Sequence, residues 1–358
     1  VGNIEFEGEM AKDTPGSDLI RRLLLDHDRR TLYLQAWGGM NTIARALKSI
    51  EERYAGTRDW SRVKRAVEGK AVILASGLQD ETYADYIAPH WPGIQVRNLA
   101  AGYATWGYNC NWGGQGNVRG LPADRVYFTG AWIRANIQIG PYGSLYRSWL
   151  DGQAMPGDPL DIFGDPELAP GGWCKPLEPY DFLSEGDNVA FNPLLDTGLQ
   201  EPGNPALGGW GGRAVETAPN YWTLVPTEDG IADYTTLRWA AAAQNDFAAR
   251  MAWTITPRYR DGNHPPTVKT SSGVRAKPGA TVRLPARTAD PDHDRVTTRW
   301  WQYREEGTYP GAVTVSDRGV VTIPADAQPG QTISVILEGT DDGRFPLTRY
   351  DRAIIRVV

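Results

Sequence analysis

The sequence predicts an α/β domain built on a parallel sheet, followed by an all-β sandwich. Two observations carry this. Over the first hundred residues short apolar strands alternate with helical periodicity, and after Trp253 the composition turns to strand-and-turn sequence across an Asn-His-Pro-Pro joint. The boundary falls between residues 1–262 and 263–358.

Taken in order, residues 32–37 form a short apolar strand that Gly38 and Gly39 break, and Asn41 or Thr42 can cap a helix that presents Ile43, Leu47 and Ile50 on one face. Residues 71–76 give a second buried strand, 81–87 a helix and 94–99 a third strand, the repeat expected of right-handed crossovers. An open sheet of this kind usually has five or six strands, so the chain is expected to start partway through a domain. A central strand at 32–37 then needs a neighbour from a missing N-terminal segment or a second chain. Residues 101–237 are loop-dominated and dense in Gly, Pro and Trp, with a helical piece at 131–139, and are expected to wall a site. The run 237–253 is an apolar helix. Beyond the joint, strands are expected at 280–284, 295–303, 319–323, 332–340 and 353–358, about the size of an immunoglobulin-like sandwich.

A formal charge of -6 and the lack of any basic run leave no electrostatic footprint for nucleic acid or anionic membrane. No apolar stretch approaches a membrane span. Fourteen Trp and 16 Tyr against 7 Phe suit grooves that hold sugar rings, although many of these rings will be core. Cys110 and Cys174 lie in Gly- and Trp-rich loops, and a disulfide and two free thiols are both open.

The candidate site starts from Gln244, Asn245 and Asp246 in the middle of the apolar helix. A carboxylate there must be bound to a cation or paired, Arg250 being one turn away. Trp37 to Asn41 and Ser76 to Asp80 project beyond strand ends, where ligands of α/β sheets bind. The loop GGWGGR brings Trp210 as a stacking face and Arg213 as a partner for a neighbouring carboxylate. Glu185 and Asp187 put two carboxylates on a turn that is either part of the site or simply solvated. Asp290, Asp292 and Asp294 could bind calcium through spaced carboxylates or form an ordinary polar turn.

The pieces WGGMNTIARAL, Glu185 to Asp187, GGWGGR, RWAAAAQNDFAARMAW and NHPP, in that order, resemble the bacterial family of cellulose-binding proteins with a nucleoside-hydrolase-like domain and a C-terminal immunoglobulin-like domain. The resemblance implies a secreted or periplasmic, carbohydrate-associated protein. It also implies a pocket calcium held by an N-terminal aspartate cluster, a strand-end carbonyl and a late-helix Asp. The last two roles would fall on Met40 or Asn41 and on Asp246, with Asn245 where nucleoside hydrolases commonly carry a His. The aspartate cluster is not matched, since Asp13, Asp18, Asp26 and Asp28 do not have its spacing.

Two functions are expected from this. One is metal-assisted cleavage of a glycosidic bond, with Asp246 on calcium, Glu185 or Asp187 assisting the leaving group, and Trp37, Asn41, Asp80, Trp210, Arg213 and Asn245 around the sugar. The other is non-catalytic carbohydrate binding through Trp210, Trp222 and other aromatics.

Overall fold

The structure, a computed structural model, describes residues 10–100, 122–146, 186–199 and 202–358. Cys110, Cys174 and Glu185 lie outside the described residues.

Helix α1 (Pro15–Leu25) opens with Pro15 in its first turn and a capping box between Thr14 and Ser17. It packs on α2 (Asn41–Tyr54) and α3 (Trp60–Lys70), which together connect β1 (Leu32–Ala36) to β2 (Ala71–Ala75). Ile43, Leu47 and Ile50 share one buried face of α2, as their spacing predicts, and meet Leu34, Ile73 and Val96 of the sheet in the first core cluster. A π-helical turn (Tyr83–Ile87) precedes β3 (Gln95–Asn98).

β1, β2 and β3 run parallel and adjacent, as expected from their sequence repeat. The sheet continues with two strands that the loop-rich reading did not anticipate, β4 (Ala214–Ala218) and β5 (Tyr221–Leu224). They form a hairpin around Pro219 and Asn220, whose φ of 60° is the left-handed conformation such a turn requires. The order is β1-β2-β3-β5-β4, with β5 parallel to β3 and β4 antiparallel at the far edge. Among the described residues β1 pairs on one side only, with β2. Helix α4 (Gly130–Asn136) and α5 (Ala240–Trp253) pack together through Ile133, Ile137, Ala248 and Met251.

The C-terminal region is strand-rich. It comprises β6 (Thr267–Lys269), β7 (Gly273–Ala276), β8 (Thr281–Arg283), β9 (Arg287–Ala289), β10 (Thr297–Gln302), β11 (Val320–Thr322), β12 (Thr332–Thr340) and β13 (Thr348–Val357). The four-stranded sheet has the order β10-β12-β13-β7, and the pairs β8-β11 and β6-β9 complete the layer that closes the second core around Val335, Leu337 and Ile355.

The strand-rich region shares a hydrophobic cluster with the α/β region. Leu199, Trp210 and Trp239 from one side pack with Tyr303, Ile336 and Tyr350 from the other. Arg352, buried in β13, donates to the carbonyls of Leu199, Leu207 and Gly208, and the Tyr350 N–H donates to the Thr197 carbonyl. At this seam Gly198 has a φ of +90°, and a Cβ would stand 1.9 Å from the Tyr350 carbonyl oxygen. Both the strained conformation and the backbone clash act against any side chain. Gly198→Ala is expected to cost about 2–3 kcal/mol in urea unfolding of the full chain. A cost below about 0.5 kcal/mol would mean the seam yields freely.

Candidate functional site

A cavity of about 440 Å³ opens beside the carboxyl end of β1, the size of a small-ligand site. One wall is α5, which contributes Gln244, Asp246, Phe247 and Arg250. The opposite wall comes from the segment around two short 3₁₀ turns (Asp187–Ala190 and Asn192–Leu194), which contributes Asp187, Phe191 and Asn192. Trp37 stands at the mouth, 52% exposed, its indole N–H held by the Gln35 side chain at 2.9 Å. Phe191 is 44% exposed on the same cavity. Two apolar rings are therefore accessible to a ligand at the rim.

Asp246 lies on the cavity wall, as its position in the apolar helix suggested, and its side chain is only 4% exposed. Its two oxygens are separately engaged. Oδ2 accepts from Arg250 Nε at 2.5 Å and Oδ1 from Arg349 Nη2 at 2.7 Å. Arg349 arrives from β13, so the carboxylate ties the two regions together. The anticipated Arg250 pairing is present, and Arg349, 103 residues away, is the partner that sequence spacing could not reveal.

Calcium prefers roughly six to eight oxygen ligands. At Asp246 two guanidinium groups occupy the directions a cation would need, and among the described residues Asp187 is the only other carboxylate on the cavity. Met40 is buried in the first core cluster, and its carbonyl accepts the Ala44 N–H at 2.9 Å as the first bond of α2. These residues do not fit a calcium ion, and the metal role expected of Asp246 and Met40 is corrected accordingly.

The other expected site residues divide. Asp187 and Trp37 line the cavity; Asn41, Asp80, Arg213 and Asn245 do not. Asp80 closes the amino end of α2 from a distance. Its Oδ2 accepts the Asn41 N–H at 3.0 Å, while Oδ1 accepts from the Thr82 N–H at 3.1 Å and hydroxyl at 2.6 Å. Asn245 donates to the Tyr127 hydroxyl at 3.2 Å. Arg213 does hold a carboxylate, that of Glu228 at 2.5 Å, but in the interior; burial raises the Glu228 carboxyl above the ordinary carboxylate range even against Arg213. Trp210 touches the cavity yet is 1% exposed and belongs to the shared core, which corrects the expectation that it stacks on a ligand. Trp222, in β5, is partly buried against the cluster that contains Leu74, Leu99 and Leu224. Tyr146, Phe191 and Asn192 were missed, because nothing in the local pattern separates a loop ring that faces a cavity from one that fills a core.

A second cavity of about 430 Å³ lies on the other side of α5, between Tyr234, Arg238, Arg299, Trp301 and Glu338. The Arg238 guanidinium on its wall lies 4.4 Å from the Tyr303 ring centroid and 4.9 Å from that of Trp301.

The fold and cavity define an α/β protein of nucleoside-hydrolase-like architecture with a strand-rich C-terminal region packed against it. Residues 1–214 match the family model described as the nucleoside hydrolase-like domain of cellulose-binding Sde182, and residues 281–357 match the C-terminal domain of cellulose-binding protein Sde0182. The chain belongs to this family. Among solved structures it is similar to a nucleoside hydrolase-related hypothetical protein from Saccharophagus degradans that is associated with carbohydrate metabolism. The identity is 24% and the TM-score 0.67, over 98% of this chain and 77% of that one. A human CDH23 EC21-23 structure is matched over 26% of this chain and 33% of its own at 20% identity, with a TM-score of 0.20 that says nothing about the fold. No curated protein matches. Among the described residues no helix is long and apolar enough to cross a membrane.

Proposed function

We propose that the chain binds a cellulose-type glycan at the mouth of the first cavity and does not hydrolyse it. The observation that carries this reading is the double arginine lock on Asp246, which leaves the carboxylate best placed for chemistry held by two cations inside the wall. A carboxylate with both oxygens so engaged is poorly placed to receive a metal or an attacking water. Binding needs neither. Trp37 and Phe191 offer apolar faces for the C–H surfaces of sugar rings, while Gln244, Asn192 and Asp187 supply polar groups deeper in. The family's cellulose-binding description supports the same ligand class. A polysaccharide ligand fits a secreted or periplasmic protein, with the strand-rich region serving as an immunoglobulin-like module. Cleavage of a furanosidic bond is the second reading, and it rests on Asp187, the carboxylate on the cavity without an arginine partner among the described residues.

Titration of the full chain with soluble cello-oligosaccharides, alongside retention on microcrystalline cellulose, tests the proposal. Trp37→Ala and Phe191→Ala are each expected to weaken binding about tenfold, roughly 1.4 kcal/mol, with little change in Tm because both rings are substantially exposed. Unchanged affinity in both variants would move the ligand elsewhere. Release of reducing sugar that disappears in Asp187→Asn would establish hydrolysis instead.

A further inference from the structure

The joint between the two regions gathers acidic side chains that the glycan site does not use. Asp290, Asp292 and Asp294 each direct a carboxylate oxygen to one place, the three atoms lying within 4.8 Å of one another. Their turn is internally braced, since Asp290 Oδ1 accepts the N–H groups of Asp292 at 2.8 Å and Asp294 at 3.1 Å. Such bracing is ordinary turn chemistry and by itself points to no ligand.

The unpartnered oxygens around it do point to one. Asp341, only 3% exposed, has Oδ1 committed to Leu347 N–H, Gly343 N–H and the Asn263 amide, while its Oδ2 is buried without a hydrogen-bond partner. Asp290 Oδ2 and Asn263 Oδ1 are buried and unpartnered as well. The Asn263 amide nitrogen donates to Asp341 Oδ1 and to the Arg344 and Phe345 carbonyls, so its orientation is fixed with Oδ1 facing away from them. Asn263 Oδ1 and Asp294 Oδ2 each lie 2.5 Å from where a Cβ on Gly343 would stand, so the glycine leaves room for both. Three buried acceptors without donors are costly unless something meets them. Among the described residues Asp290, Asp294 and Asp341 have no ion-pair partner, while the His264 Nδ1 faces Asp292 at 3.1 Å. Burial, then the charges of Asp290, Asp342 and Asp292, raises the Asp294 carboxyl above its ordinary value, and burial does the same to Asp341.

We propose that Asp290, Asp292 and Asp294, with the side-chain carbonyl of Asn263, bind one calcium ion. The donors are all hard oxygens, three of them from carboxylates, and water would complete a shell of about six to eight. Magnesium suits the set less well, because it demands a tighter octahedron and gives up its water reluctantly. The ion neutralises the cluster and fastens the linker residue Asn263, itself hydrogen-bonded to Asp341, to the loop of the strand-rich region that carries Asp290–Asp294. It thereby sets how that region sits on the seam at Gly198 and Arg352.

Calorimetric titration of the chelator-treated full chain with calcium chloride alone, paired with thermal unfolding, tests this. One ion per chain is expected, with a higher Tm in calcium and little response to magnesium at the same concentration. Asp294→Asn is the cleaner variant, because the Asp294 carboxylate accepts no hydrogen bond among the described residues. It is expected to lower calcium affinity at least tenfold while leaving the Tm in chelator unchanged or higher, since one like charge has been removed. Asp290→Asn is expected to weaken binding in the same way. The absence of any calcium heat or Tm shift overturns the proposal. So does calcium affinity that survives in both variants, which would place the ion elsewhere, and equal binding of magnesium overturns the choice of ion.

Discussion

Replacing Asp246 by Ala is expected to lower the unfolding free energy of the full chain by about 3–5 kcal/mol, a fall in Tm of roughly 6–10 °C. The loss comes chiefly from Arg349, 12% exposed, which would keep its charge inside the seam with no counter-ion. Arg250 is 48% exposed, so water takes over from the carboxylate on that side, and Arg250→Ala should cost only about 0.5 kcal/mol. Arg349→Ala should approach the Asp246→Ala value, and a double-mutant cycle on that pair should give a coupling above about 1.5 kcal/mol. If Asp246→Ala cost no more than Arg250→Ala, the buried pair would contribute nothing, and the reason for denying Asp246 a chemical role would fall with it. Urea unfolding followed by tryptophan fluorescence measures the four variants and the unsubstituted chain on one scale.

Trp210→Ala is expected to be as damaging, at about 3–5 kcal/mol, because it empties the centre of the cluster shared by the two regions. Trp210 packs with Trp239, Tyr303 and Tyr350, and the Arg349 guanidinium lies 5.6 Å from its ring centroid, so the cavity left behind would also loosen the Asp246 lock. Glycan affinity measured well below the lowered Tm should change less than in Trp37→Ala. The opposite pattern, lost binding with an unaltered melting curve, would restore Trp210 as a stacking platform.

The contrast between Trp37 and Trp210 shows how far sequence reasoning reaches. Both sit beside glycines in loops, and both were candidates for ligand contact on that ground. The structure leaves one half-exposed at the cavity mouth and buries the other at 1%. Local sequence carries no information about which loop the strand-rich region will cover. Asp80 illustrates a different limit. Its placement after β2 was legible, but its role at the amino end of α2 depends on two strand-end loops meeting, which brings it to Asn41 39 positions away.

The sequence by itself determined the elements whose signal is periodic and local. These are the parallel repeat β1-β2-β3, the apolar face of α2, the buried helix that carries Asp246, and the change to strand-and-turn composition at the Asn-His-Pro-Pro joint. It did not determine β4 and β5, because the edge strand Ala214–Ala218 exposes four of its five residues and has no apolar alternation to read. Nor could it show that Asp246 is bound by Arg349, that Asn263 faces Asp294 and Asp341, or that Trp210 is core. Each of these depends on groups 31 to 103 residues apart, or on the docking of one region against the other. Periodic burial is fixed by neighbours along the chain, whereas the pairing of a buried charge is decided only when the tertiary structure brings its counter-charge across the seam.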